Sequence, residues 1–222
     1  GYDYIGNASL KAEKSLQAEA NLSYSGTIFR FSVTGYYHRL YDYILGTVKG
    51  EYPAFTIGSM GVKEYTNINS AFITGADASA GFTLKQGLQS VNTLGYAYGR
   101  LSGGSPVPLL SPLRGINSLG YGIKGWHIQA EGDWALAKNS VNTEIGETAT
   151  AGYFLLNLRT GYKFVIHNHV LAIKFSVENV LDTKYREYAD WGNVYRPGRN
   201  YVVYISYAFD KTLGCCVSKA KP

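Results

Sequence analysis

The residues best equipped for chemistry sit in one stretch near the C-terminus, 181–198. It carries Tyr185, Arg186, Tyr188, Trp191, Tyr195 and Arg196, and Arg199 follows in Pro197-Gly198-Arg199. Guanidinium groups among aromatic rings offer stacking and forked hydrogen bonds, which suits an anionic ligand that itself carries rings. The same residues also suit loop packing and an aromatic belt at a membrane surface. Arg199, at a loop-to-strand boundary, is expected to be structural and to pair with a carboxylate of the polar strand face. Tyr52 and Phe55, in the stretch 46–63, are candidates on the same terms as the loop residues.

No pattern supports catalysis or a resident cofactor. The sequence holds no phosphate-cradling glycine loop, no His-Glu-x-x-His and no Cys/His metal grouping. His167-x-His169 fits a polar turn better than a metal site, and His38 and His127 stand alone. Met60 is the sole methionine, which sets aside a methionine-rich copper site. Cys215-Cys216 are adjacent in the last residues and cannot staple distant strands.

The elements that must position these loops are strands. In Leu171–Val177 the residues Leu171, Ile173, Phe175 and Val177 alternate with Ala172, Lys174 and Ser176. Tyr201, Val203, Ile205, Tyr207 and Phe209 alternate with Val202, Tyr204, Ser206 and Ala208. A period of two marks a strand with one apolar and one polar face. The same alternation recurs along 17–24, 28–44, 65–84, 90–100, 116–124, 126–136 and 154–164, so about nine strands are expected, all-β and antiparallel. Connections alternate in length. Those at 25–27, 85–89, 124–125 and 165–168 are short, and those at 46–63, 101–115, 138–151 and 181–198 are long. Short turns at one end and long loops at the other are the pattern of an up-and-down transmembrane β-barrel. The polar faces carry Glu19, Arg30, Glu131, Asp133, Arg159, Lys163, Lys174 and Glu178, so that side meets water.

Composition agrees with this. The 222 residues include 20 Tyr and 26 Gly, and charged residues make up 17%, against about 25% in soluble proteins. No apolar run approaches the ~20 residues of a membrane-spanning helix. The net charge of +5 is dispersed, so no nucleic-acid-binding patch is expected. Gly1-Tyr2-Asp3 opens into polar sequence, which suggests a mature chain or a fragment.

Several segments carry a family resemblance, in order along the chain. They are Gly6-Asn7-Ala8-Ser9-Leu10-Lys11-Ala12-Glu13; Asn67 to Asp77; Pro106 to Pro112; Gly146-Glu147-Thr148 to Tyr153; Glu178-Asn179-Val180-Leu181-Asp182-Thr183-Lys184-Tyr185; and Pro197-Gly198-Arg199-Asn200. Together, over residues 6 to 209, the chain resembles the C-terminal part of the β-barrel of a TonB-dependent outer-membrane receptor of the siderophore or iron-complex type. The resemblance implies that residues 1–209 are a segment of a barrel of about 22 strands whose lumen a plug closes. The short turns would then be periplasmic and the long loops extracellular.

The resemblance also implies a function. The receptor sits in the outer membrane of a Gram-negative bacterium, surrounded by lipids and lipopolysaccharide. It binds a nutrient, with a ferric siderophore or similar metal complex expected, and takes it up using the TonB energy-coupling protein, which acts through a plug this segment lacks. The segment alone is therefore not expected to transport. The barrel assembly machinery reads a terminal strand that ends in Phe, and Tyr201, Tyr207 and Phe209 fit that signal. The tail 210–222 departs from the family pattern and is expected to be disordered. Two alternatives remain open: a secreted β-sandwich adhesin or carbohydrate-binding module, and a small complete porin-like barrel with an even strand count.

Overall fold

A computed structural model describes residues 1–167, 169–190 and 194–209. Trp191 and the tail 210–222, with Cys215-Cys216, lie outside the described residues. The strands are β1 (Asp3–Ile5), β2 (Lys14–Ser25), β3 (Phe29–Lys49), β4 (Val62–Thr83), β5 (Leu88–Leu101), β6 (Arg114–Ile123), β7 (Trp126–Ala135), β8 (Tyr153–Ile166), β9 (His169–Glu178) and β10 (Asn200–Phe209). One short 3-10 turn, η1, spans Thr143–Ile145.

From β2 to β10 each strand pairs antiparallel with its sequence neighbours, giving the order β10-β9-β8-β7-β6-β5-β4-β3-β2. These are the nine strands that the alternation predicts. The tenth, β1, pairs parallel with Val62–Glu64 of β4. Its three residues are too few to show a period, so sequence pattern misses it. Among the described residues nothing joins β2 to β10, and the sheet is open with two free edges.

Register keeps the two faces apart across the whole sheet. One row runs Leu22, Val33, Ala78, Leu94, Gly115, Trp134, Phe154 from β2 to β8. Another runs Trp126, Tyr162, Ile173, Ile205 from β7 to β10. The neighbouring row on the opposite face is Asn21, Thr34, Asp77, Gly95, Arg114. A slip of one residue in any strand would turn its apolar set to the other side, and none occurs along these rows. We call the apolar face outward and the polar face inward.

Among the described residues the sheet has no second layer. Buried apolar side chains are few, and Leu40, Ala71, Leu101 and Val107 form one cluster near the long-loop end. On β10, Tyr201, Val203, Ile205 and Tyr207 are 62–65% exposed on the outward face. A sheet with an apolar face buries it against another layer or against lipid. The outward tryptophans of β7, Trp126 and Trp134, bracket that face. At about 3.3 Å per residue and a tilt near 40°, they lie roughly 20 Å apart in height, close to the apolar band of about 25 Å in transmembrane barrels.

The short turns are built for their place. Lys124 and Gly125 both have positive φ (48° and 87°), as a two-residue hairpin with the twist of its strands requires. A Cβ on Gly125 would meet the Lys163 carbonyl at 3.0 Å. At the other end β3 and β4 outrun the expected loop 46–63: they pair from Gly46↔Tyr65 to Lys49↔Val62, leaving 50–61 as the loop.

Candidate functional site: the long-loop end of the sheet

Four connections, 50–61, 102–113, 136–152 and 179–199, emerge from the same end of the sheet. They are tied to one another by a small set of side chains, several of them carboxylates accepting from main-chain N–H groups. Such charge-assisted bonds are stronger than neutral ones.

Asp3 in β1 fixes the first loop. Its carboxylate accepts from the N–H groups of Phe55 (2.7 Å) and Thr56 (3.0 Å). The hydrogen bonds from Thr56, first among the causes, hold its carboxyl below the usual carboxylate range. Tyr52 and Phe55 project from this loop, and Phe55 is 63% exposed.

Glu147 joins the second and third loops. One carboxylate oxygen accepts from Leu109 N–H at 2.7 Å and the other from Asn142 N–H at 2.8 Å. Asn142 is buried; its side-chain oxygen caps η1 through Glu144 N–H, and its amide donates to the Pro106 carbonyl. Lys63 donates to the Ile145 carbonyl at 2.6 Å with its ammonium 4.2 Å from the centre of the Tyr2 ring. Gly146 ends η1 in the left-handed region at φ 77°. A Cβ there would strike the Tyr2 ring.

The fourth loop has a closed neck. Asn179, at φ 50°, receives the Thr183 N–H and donates to the Thr183 carbonyl, both at 2.9 Å. Its own N–H reaches Asn157 on β8. The Asp182 carboxylate accepts from Arg199 N–H (2.8 Å), and the Arg199 guanidinium donates to the Val180 carbonyl (2.9 Å). Arg199 is thus structural, as expected, but its partners lie in the loop neck and not on the inward face. Further out, Arg186 donates to the Ala149 carbonyl at 2.7 Å. Arg196 forks onto Asp190 (2.8 and 2.5 Å) with Glu187 at 3.6 Å. That fork holds the Asp190 carboxyl below the usual range.

The candidate residues therefore divide. Arg186 and Arg196 spend their guanidinium groups on holding the loop. Tyr188 lies inside, with Lys138 5.5 Å from its ring centre, and burial, then Glu147, pushes its phenol upward. Tyr195 is 55% exposed and stacks with the Lys184 ammonium at 4.3 Å. Among the described residues the structure does not gather the candidates around one hollow. A cavity of about 270 Å³ opens among Tyr2, Tyr4, Lys63, Glu147 and Tyr188, and Tyr188 is its one member from the sequence candidates. A second, of about 460 Å³, lies on the inward face among Asp77, Arg114, Asp133, Tyr153 and Glu187.

Asp3, Lys63, Asn142 and Glu147 were not singled out by type. Only the segment around Glu147 carried a signal, as part of Gly146-Glu147-Thr148. Among the described residues no group of three or more His, Cys, Asp or Glu side chains is placed to hold a metal ion. The arrangement can display rings and polar groups on a braced surface.

Comparisons with known proteins match this geometry. The family described as "TonB dependent receptor-like, beta-barrel" matches residues 1–180. Among solved structures, the copper transporter OprC superposes with a TM-score of 0.77 at 23% identity, over 90% of this chain and 33% of its own. The FrpB iron transporter from Neisseria meningitidis gives 0.68 at 15% identity, over 91% of this chain and 32% of its own. The ferric enterobactin receptor PfeA from Pseudomonas aeruginosa gives 0.64 at 17%, over 92% and 32%. At these identities the likeness is one of fold, and the chain spans about a third of each structure's length. No curated protein matches the sequence.

Proposed function

The chain belongs to the TonB-dependent receptor-like β-barrel family, and from that premise we propose that residues 1–209 are the closing wall of a larger outer-membrane barrel in a Gram-negative bacterium. The observation that carries this is the unbroken two-faced register of a single-layer sheet with both edges open. Unpaired edge groups are costly in lipid, where no water satisfies them. Further strands on both sides of the sheet relieve that cost. The inward polar face then lines a wet lumen closed by a plug, through which the TonB protein delivers energy. In this reading Tyr201, Tyr207 and Phe209, in register on the outward face of the last strand, present the signal for the assembly machinery. The tail 210–222 is an appendage to it.

The cargo we propose is a metal complex, with a ferric siderophore as the best fit. The solved neighbours are a copper transporter, an iron transporter and a ferric enterobactin receptor, and a metal-bearing cargo is what they share. The exposed rings of Phe55, Tyr52 and Tyr195 suit a ring-bearing chelate, and Trp191 belongs to the same loop as Tyr195. Arg186 and Arg196 act by bracing that loop. The reaction class is binding and gated passage without bond making.

The test is energy-dependent uptake of labelled ferric siderophores by cells whose sole receptor of this kind carries the chain. Saturable uptake that an uncoupler abolishes is expected. Phe55→Ala with Tyr195→Ala should weaken binding about tenfold, the order expected for losing an interface ring contact. Residues 1–222 alone, in liposomes, should show no saturable transport. Specific uptake by that isolated chain, or no siderophore binding by the receptor, would overturn the reading.

A further inference from the structure

Charge on the inward face of β6–β10 changes sign with height. The carboxylates Glu131, Asp133 and Glu178 stand in the long-loop half. Toward the short turns, residues 119–130, 158–176 and 201–209 contain no Asp or Glu, and their Lys and Arg residues are Lys124, Arg159, Lys163 and Lys174. Arg159 is already matched, because its guanidinium forks onto Glu131 at 2.8 and 2.9 Å. Lys163 and Lys174 are not. Among the described residues neither forms an ion pair, and the Lys174 ammonium lies 5.7 Å from the centre of the Tyr204 ring.

Register brings the two lysines together. Lys163 on β8 faces Ala172, and Lys174 on β9 faces Gly161, so they are diagonal neighbours with backbones about 7–8 Å apart. His127 lies on the other side of Gly161, in the row of Lys174. Gly161 and Ala172 fill little space, and a hollow of about 740 Å³ lies over them, with His127, Gln129, Lys163, Lys174 and Ser206 around it. A Cβ on Gly161 would come within 3.0 Å of the Lys174 Cγ, so the glycine leaves the Lys174 stem its place. The volume is that of a small-molecule site and exceeds what a single inorganic ion needs. Two neighbouring ammonium groups without a carboxylate repel one another, and an anion seated between them relieves that repulsion.

We propose that Lys163 and Lys174, with His127 beside them, form an inner-wall site for a multiply anionic metal chelate near the short-turn end of the barrel. This rests on the barrel reading with its metal-complex cargo. It adds the sign of the cargo's charge and a second holding point beyond the loops. A metal held by carboxylate or phenolate ligands keeps a net negative charge as a complex, and a cleft lined by one sign of charge concentrates its counter-ion. At the loop end Arg186 and Arg196 are engaged in bracing. The lysine pair therefore offers such a chelate unmatched cations at the far end of its passage.

The test uses the intact receptor carrying this chain, reconstituted in bilayers, with a nitroxide on Ser206→Cys. Its relaxation is compared for a trianionic chelate, tris-oxalatochromate, and a neutral one, nickel ethylenediaminediacetate. The anionic chelate should act about tenfold more strongly than the neutral one, and its excess should level off as its concentration rises. Lys163→Gln with Lys174→Gln should abolish the preference, whereas arginine at both positions should keep most of it; heat-dependent gel mobility checks that each variant forms its barrel. A label on Ser118→Cys, opposite Glu131 on the same face, should show no preference for the anion. Equal action of the two chelates, an excess that never levels off or that survives in the glutamine pair, or exclusion of both chelates with little oxygen access overturns the site alone. Oxygen-dominated relaxation at residue 206 would put that face in lipid and overturn the barrel reading together with the site.

Discussion

Leu158→Arg is expected to cost about 2–4 kcal/mol, the price of a cation at the centre of a barrel's lipid face. Leu158 lies on β8 between Ala130 and Val177 in the outward row, midway in the band bracketed by Trp126 and Trp134. Domain stabilities are about 5–15 kcal/mol, so much of the receptor should fail to reach the folded, slow-migrating form on an unheated gel. Ser118→Arg is the matched control. Ser118 is on the inward face, directly opposite Glu131, where an added cation meets water and a carboxylate. It should change stability by no more than about 0.5 kcal/mol. If both substitutions disrupted folding alike, the assignment of the two faces would be wrong.

The second large effect is expected at Glu147. Glu147→Ala removes the acceptor for Leu109 N–H and Asn142 N–H at once, and Asn142 is only 2% exposed. A hydrogen bond to a charged group contributes about 1.5–3 kcal/mol, and a buried donor left alone adds its desolvation cost. Loops 102–113 and 136–152 should therefore separate at a local cost of roughly 2–4 kcal/mol, with the strands below intact. Hydrogen exchange should quicken at Leu109, Asn142 and the η1 residues and stay unchanged in β7 and β8. Glu147→Gln keeps one acceptor oxygen and should lie between. Ligand affinity should fall in the same order, because the loops that form the cavity beside Tyr188 lose their brace. Unchanged exchange in Glu147→Ala would remove Glu147 from that role.

The strand faces were legible because alternation is a local property. Trp126, Ile128, Ala130, Gly132 and Trp134 announce an outward face without knowledge of any partner, and the register bears that out. The strand ends were less so. Gly46-Thr47-Val48-Lys49 carries turn-like glycine and no clean period. It is nonetheless strand, because Val62–Tyr65 pairs with it and β1 covers the other side of β4. Those partners lie far away in sequence, where a local pattern cannot find them.

The loop cluster shows the same limit more sharply. Residue type correctly marked 181–198 as rich in rings and guanidinium groups, but type does not reveal what those groups are already holding. Arg196 is matched by Asp190 and Glu187 within its own loop, and Arg186 reaches a main-chain carbonyl. Asp3 and Lys63 gain their roles from contacts with segments more than fifty residues distant. The motif around Asn179 and Asp182 likewise resolves into a loop neck, which explains why those residue types occur there without assigning them a ligand.

The central claim is that this chain is a lipid-facing wall with a wet inner side. It is tested most directly by nitroxide labels placed one at a time from Phe154 to Phe164 on β8, in the receptor reconstituted into bilayers. Collision rates with oxygen and with a polar relaxation reagent are then compared. The account predicts oxygen-dominated relaxation at Leu156, Leu158 and Tyr162 and polar-reagent or immobile signatures at Asn157, Arg159 and Lys163, alternating with a period of two. Polar-reagent access at both sets, with no alternation, would contradict it.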